Sequence, residues 1–234
     1  MTTIRGARER ARTEVTAAIK DEARRQLAAE GAAKLSLRAV ARELGMVSSA
    51  LYRYFPSRDE LLTALIIDAY DAVGSAAERA LAAAGPAGPP GRWTAVCVAV
   101  RAWALAHPHE YALIYGSPVP GYQAPQLTIE PASRVGLALI SVAADAHRAD
   151  GIALPPLPED LRPEARRLAA QLAPGLPPEV MAAVVAAWAQ LFGLISFEVF
   201  GQFNGLVEVR GELFAHAARR IAHEVGLVDR PRTP

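Results

Sequence analysis

An all-α fold is predicted, on three observations. Alanine, the strongest helix former, is very frequent, while the Val/Ile/Thr alternation of β-strands is nearly absent. Apolar residues recur at three- and four-residue spacings over long stretches. Glycine and proline cluster in a few segments between those stretches, where they punctuate the helices. The chain is 52% apolar, ample for a core and incompatible with disorder throughout. Its 234 residues suit one large domain or a small domain joined to a larger one.

Residues 1–12 are charged and aperiodic, and are expected to form a flexible basic arm. Val15, Ile19, Ala23 and Leu27 then recur every four residues as one helical stripe, which Gly31 ends. Ser36 is placed to cap a second helix, with Leu37, Val40, Ala41 and Leu44 at i, i+3, i+4 and i+7. Leu35 and Val40 sit at the positions of a hydrophobic staple, and Gly45 is the natural left-handed residue after the helix. Only Met46 and Val47 separate it from Ser48, a further N-cap, which opens a short helix reaching about Tyr54. Pro56 ends that helix, because the residue before a proline avoids the α region. Ser57 and Glu60 form a capping box at the start of a long helix with the stripe Leu61, Leu62, Leu65, Ile66, Ala69, Tyr70 and Val73. After a Gly/Pro loop at 82–91, helices are predicted near 92–107, 109–115, 130–149, 159–173, 178–203 and 208–226, with proline-rich loops at 116–125 and 153–158. The tail, 228–234, is expected to fray.

Cys97 is the only cysteine, so no intrachain disulfide forms and a reducing, cytoplasmic setting is expected. The first residues, MTTIRGARERARTE, hold no apolar stretch of the signal-peptide kind. Val180 to Phe197 runs 18 residues without a charge, the threshold for a membrane span. Its alanines, Gln190 and Ser196 within it, and Glu179 and Glu198 in place of flanking Lys/Arg predict instead a helix buried in a core or dimer interface. No membrane partner is expected. The net charge of +1 conceals an asymmetry: residues 1–60 carry 12 Lys/Arg against 8 Asp/Glu, and the remainder 13 against 16. A basic N-terminal segment suits phosphate contact. The histidines at 107, 109, 147, 216 and 223 make no ligand motif, since His107-Pro108-His109 lacks the helical i, i+4 spacing. No Ser–His–Asp set, phosphate loop or carboxylate pair stands out. The chain is therefore expected to be no enzyme and to hold no metal or cofactor.

Two short helices joined at Gly45, the second ending at Phe55, have the dimensions of a helix-turn-helix. At about 100° per residue, Val47, Leu51 and Phe55 fall on one side of the second helix, with Tyr54 beside them. That side is expected to pack on the helix at 36–44. Ser49 and Arg53 point away, Ala50 and Tyr52 flank them, and Ser48 sits at the tip. Small residues let a backbone enter the major groove, and hydroxyls reach base edges or phosphates. Free N–H groups at helix starts also attract phosphate, and Arg58 beside Ser57 is a candidate to assist there.

These residues carry a resemblance. LSLRAVARELGMVSSALYRYFPSRDELL (35–62) is similar to the DNA-binding signature of the tetracycline-repressor (TetR) family, through Ala41, Gly45, Val47, Ser48, Leu51, Tyr52, Tyr54, Phe55, Ser57, Arg58 and Leu61. The resemblance implies a three-helix DNA-binding domain at 13–60 and a helical ligand-binding and dimerisation domain at 61–227. It implies a homodimer on a palindromic operator, and a small-molecule effector. Ser36, Arg38, Ser48, Ser49, Tyr52 and Arg58 fall where family members touch DNA. WAQLFGLISFEVFGQF (188–203) is similar to a C-terminal subfamily with the signature Trp, then His-Gly, then a Glu-bearing helix. Trp188, Gly193 and Glu198 match, but Phe192 replaces the histidine, so no role of that histidine carries over. Residues 107–122 also resemble this subfamily.

Trp103, Tyr111, Tyr115, Tyr122, Trp188, Phe192 and Phe197 are candidates to line a ligand cavity, with ordinary core packing as the alternative. Gly193 is expected to border that cavity or to allow close helix packing. The function expected is a ligand-responsive repressor that releases its operator on binding a small apolar or aromatic molecule. A helical small-molecule enzyme or carrier without DNA binding, and a ligand-blind architectural DNA binder, are the alternatives. The outward Ser48, Ser49 and Arg53 favour a DNA binder, since a carrier has no use for them.

Overall fold

The computed structural model describes residues 4–229. Among them there is no strand, only one isolated antiparallel bridge between Ile152 and Leu227. The helices are α1 (Ile4–Glu30), α2 (Leu37–Glu43), α3 (Ser48–Leu51), α4 (Arg58–Ala83), α5 (Pro89–Ala106), α6 (Pro108–Tyr115), α7 (Ile129–Arg148), α8 (Arg162–Leu172), α9 (Pro178–Val199) and α10 (Arg210–Glu224). They fall into two compact units, the first reaching Tyr70 and taking in His107–Ile129, the second comprising Asp71–Ala106 and the chain from Glu130 on.

In the first unit, α1 is helical from Ile4, so residues 4–12 are part of the helix rather than an arm; residues 1–3 lie outside the described residues. Periodicity reports burial, and residues 7–14 are exposed. Alanine, arginine and glutamate extend a helix already anchored further on without needing an apolar face. Ile19, Ala23 and Leu27 of α1 meet Leu37, Val40 and Ala41 of α2, and Leu61, Leu62 and Leu65 of α4 complete the core. The unit does not stop at residue 60, as the sequence alone suggests. It runs along α4 to Tyr70, and Leu113, Val119 and Tyr122 from the segment after α5 pack against its core. The Tyr122 hydroxyl lies 2.8 Å from Thr63 Oγ1. So small a domain buries little surface alone, and this segment adds apolar cover.

Tyr70 meets Tyr115 edge-on at 5.9 Å between ring centroids, and Tyr111 lies 5.2 Å from Tyr115. Burial first, then the neighbouring phenols, pushes the Tyr115 hydroxyl well above the usual tyrosine range. Burial also raises Tyr70, whose hydroxyl donates to the Ile114 carbonyl at 3.3 Å.

In the second unit, α5 packs on α10 and α9, and α8 on α9. Trp93, Val100, Met181, Leu191 and Ile195 are fully buried. Arg101 of α5 donates two hydrogen bonds to the Glu198 carboxylate of α9, at 2.7 and 2.6 Å, and its guanidinium lies 5.4 Å from the Phe214 ring centroid of α10. Arg134 of α7 donates to Asp71, Ser75 and Glu78 of α4. Those bonds hold the Glu78 carboxyl below its usual range. Gly74 is required there, because a Cβ would stand 2.7 Å from Cβ of Arg134. Cys97 is buried, and burial pushes its thiol upward, so it is an inert core residue. The chain end is tied down further than expected. Leu227 is buried and the Val228 N–H donates to the Gly151 carbonyl at 3.2 Å, while residues 230–234 of the expected frayed tail lie outside the described residues.

Candidate nucleic-acid interface

Local hydrogen bonds build the interface. Ser36 caps α2, its hydroxyl accepting from the Ala39 N–H at 3.4 Å. At the other end, the Met46 N–H reaches the Ala41 carbonyl at 2.8 Å and the Gly45 N–H reaches that of Arg42 at 3.1 Å. This crossed pair closes the helix only if Gly45 is left-handed, and its φ is +65°. The chain therefore turns within two residues into α3. Although α3 proper ends at Leu51, the Phe55 N–H still donates to the Leu51 carbonyl at 3.1 Å, so a tight turn carries the helical path onward. Ser57 then caps α4, accepting from the Glu60 N–H at 3.1 Å.

Leu51 and Phe55 are buried, as the helical wheel predicts. Val47 is not: it is 70% exposed. With φ −68° and ψ 138°, it is the extended residue preceding α3, so the wheel does not apply to it. Val47, not Ser48, occupies the N-cap position, without a side-chain bond. Ser48 and Ser49 are exposed in the first turn, Tyr52 and Arg53 are exposed beyond it, and Ala50 is half-buried between them. Arg38 is exposed on α2, and half-buried Ser36 is occupied as a cap.

Arg58 departs from its expected place at a phosphate. Its guanidinium donates to the Leu35 carbonyl at 3.2 Å, the Ala32 carbonyl at 2.8 Å and the Ala33 carbonyl at 3.3 Å. The 3-10 turn Ala32–Lys34 between α1 and α2 presents carbonyls with lone pairs to spare, that of Ala32 already accepting from the Leu35 N–H at 3.3 Å, and a five-donor fork meets several of them at once. Arg58 is thus a brace of the domain. Arg58→Ala is expected to lower its unfolding free energy by about 1.5–3 kcal/mol, the usual worth of hydrogen bonds to a charged group. The salt dependence of DNA binding should stay the same. Urea denaturation and salt titrations of DNA affinity check this, and a slope reduced as for a lost phosphate contact would return Arg58 to the DNA. Arg12 escapes the sequence prediction, yet its guanidinium lies 5.6 Å from the Tyr54 ring centroid.

The seven candidate cavity residues divide between the two units. Trp103, Phe192, Trp188 and Phe197 belong to the second unit, and Tyr111, Tyr115 and Tyr122 to the first. Trp103, Tyr111 and Phe192 are buried, but Trp188 and Phe197 are 42% and 54% exposed and do not line an interior. Phe197 sits on the outer side of α9 with Gly193 one turn before it, whereas Trp188, about 180° round the helix from Phe197, is exposed at the flank of the buried side, edge-on to Phe192. A Cβ on Gly193 would meet nothing within 4 Å, so that glycine borders no packed cavity. A helix apolar all round gives no signal of which side is covered. Between α9 and α10 lies a groove of about 520 Å³ lined by Gly193, Leu194, Phe197, Phe203, Leu213 and His216 among others. Tyr122 serves the core around Thr63. Among the described residues no three His, Cys, Asp or Glu side chains stand where they could hold a metal ion.

Two helices joined by a tight left-handed turn, with small and hydroxylated residues outward at the start of the second, define a helix-turn-helix regulator that binds DNA. The chain belongs to the TetR family of bacterial transcriptional regulators. Residues 19–65 match the family model for bacterial regulatory proteins of the tetR family, and residues 93–221 that for the tetracyclin repressor-like C-terminal domain. The chain is 42% identical over 208 residues to the HTH-type transcriptional regulator Rv1816 of Mycobacterium tuberculosis, covering 85% of this chain and 86% of that protein. Identity and coverage are the same for the regulator Mb1846 of Mycobacterium bovis. The crystal structure of the regulatory protein SCO4313 superposes with a TM-score of 0.77 at 35% identity, covering 91% of this chain and 97% of that one.

Proposed function

We propose that this regulator is a ligand-responsive repressor that binds a palindromic operator as a homodimer and releases it on taking up a small apolar or aromatic molecule. The observation that carries the DNA half is the outward polar face of α3 and its following turn, with Ser48, Ser49, Tyr52 and Arg53 exposed above buried Leu51. Ser49 reads base edges and Tyr52 touches phosphate, with Ser48 and the half-buried Ala50 setting how closely the backbone enters the groove. Arg38 on α2 supports the backbone contact. A carrier without DNA binding leaves that face without a purpose.

Dimerisation is assigned to α9 and α10. Phe197 of α9 and Leu213 of α10 are exposed along the apolar groove between the two helices, with Gly193 and Leu194 beside them, and a second copy would cover them. The same groove accounts for an α9 long and apolar enough to cross a membrane. Two copies place two recognition helices at half-sites about 34–36 Å apart, or a multiple of that. For the effector, buried Trp103 and Phe192 of the second unit remain the candidates, and the 26-residue α4, which begins in the first unit and ends in the second, is the element able to carry a shift. An effector releases DNA only by binding the DNA-incompetent arrangement better, by about 1–3 kcal/mol in typical cases.

Selection from random duplex DNA tests the reading, and an enriched palindrome is the expected result. On that site Tyr52→Ala should bind about 5- to 150-fold more weakly whatever the sequence, the worth of one hydrogen bond at each of the two half-sites. Ser49→Ala should instead change the preferred base. No enriched sequence, or a Tyr52→Ala variant equal to wild type, overturns this docking.

A further inference from the structure

One stripe runs the length of α1, and its chemistry changes along the way. Val15, Ile19, Ala23 and Leu27 are its apolar part and pack into the first unit's core. Traced back at about 100° per residue, the same stripe passes through Arg12 and Arg8. Both are exposed. The face that α1 turns toward the core thus becomes cationic where the helix outruns it. From Val15 to Arg8 that overhang extends about 10 Å.

Arg12 fixes where the overhang lies. Its guanidinium sits 5.6 Å from the centroid of the Tyr54 ring. Tyr54 packs against the core and follows Tyr52 and Arg53, both exposed on the recognition side. The cation–π contact holds the basic stripe beside the surface presented to DNA. Charge pairing separates the two ends of the helix. Lys20, Arg24 and Arg25 of α1 pair with Asp68, Asp21 and Glu22. Among the described residues, Arg8, Arg12 and Arg53 have no ion-pair partner. Unneutralised guanidinium forks next to a recognition helix match phosphate oxygens in charge and geometry.

We propose that Arg8 and Arg12 make a second DNA contact, to backbone phosphates flanking the half-site that α3 reads. The proposal rests on the reading of α3 as the base-reading helix. The contact is independent of sequence, since it adds charge and reach without entering a groove. A homodimer brings four such guanidiniums, and each neutralised phosphate contributes about 0.9 to the slope of log affinity against log salt.

The test uses the full chain and the duplex recovered by selection, with long flanks. The Arg8→Gln/Arg12→Gln double variant is expected to lose about 3–4 from that slope and to bind on the order of tenfold more weakly or worse at physiological salt. Its stretch of DNA protected from hydroxyl radicals should shorten, with the selected sequence unchanged. Arg8→Lys/Arg12→Lys keeps the charge and should restore most of the slope. A glutamine variant with the wild-type slope and protected stretch, while the wild type binds its site selectively, overturns this contact alone. A wild type that binds no duplex overturns the α3 reading and this contact with it.

Discussion

Glu198→Ala is expected to destabilise the second unit by about 3 kcal/mol or more. The carboxylate is buried, with its side chain 6% exposed, and accepts two hydrogen bonds from Arg101, which is itself only 18% exposed. Removing it strands a guanidinium among α5, α9 and α10, and breaking one partner of such a pair typically costs about 3–5 kcal/mol. The partial exposure of Arg101 places the expected loss toward the lower end, because water reaches part of the freed charge. The Phe214 ring beneath the guanidinium compensates only a fraction. Urea denaturation at matched protein concentration measures the effect. The Arg101→Met/Glu198→Leu double variant should recover most of the loss, because replacing both charges with apolar groups leaves nothing unpaired. A Glu198→Ala midpoint equal to wild type would show that the pair contributes nothing to the fold.

Phe197→Asp is expected to abolish dimerisation and to weaken operator binding by about 10²–10⁴-fold, the range that linking two binding modules commonly supplies. Phe197 is 54% exposed, so the folded monomer should accept the change, and far-ultraviolet circular dichroism should match wild type. In the proposed dimer two aspartates would enter the apolar groove beside Gly193 and Leu213, and a symmetric interface doubles every such penalty. Analytical ultracentrifugation at micromolar concentration should report a monomer where the wild type is a dimer. A Phe197→Asp chain that still sediments as a dimer moves the interface off α9. Equal operator affinity in a proven monomer would remove the need for two half-sites.

The helix-turn-helix was largely legible in the sequence because its determinants are local. Ser36, Gly45 and Ser57 act through hydrogen bonds within a few residues, and caps and a left-handed glycine work alike in any context. The wheel placed Leu51 and Phe55 inward and Ser49 and Arg53 outward for the same reason. It failed at Val47, one residue before the helix begins, where the extended backbone turns the side chain out. Residues 4–12 do not read as helix in the sequence because residues 7–12 are exposed and leave no apolar periodicity to detect.

What the linear sequence determined is therefore the all-α class, the helix-turn-helix and the apolar character of α9, each set by spacing and composition within one segment. Tertiary structure alone decided which side of each segment is covered. Arg58 went to the carbonyls at 32, 33 and 35 rather than outward, because the chain folds that turn against the start of α4. Tyr122 joined Thr63, 59 residues away, and so placed a proline-rich loop in the DNA-binding unit. Trp188 and Phe197 came to lie exposed on α9, since a helix with apolar residues on every side carries no mark of which neighbour it will meet. Such partners are chosen by contacts between distant segments, and no local pattern of spacing or propensity records them.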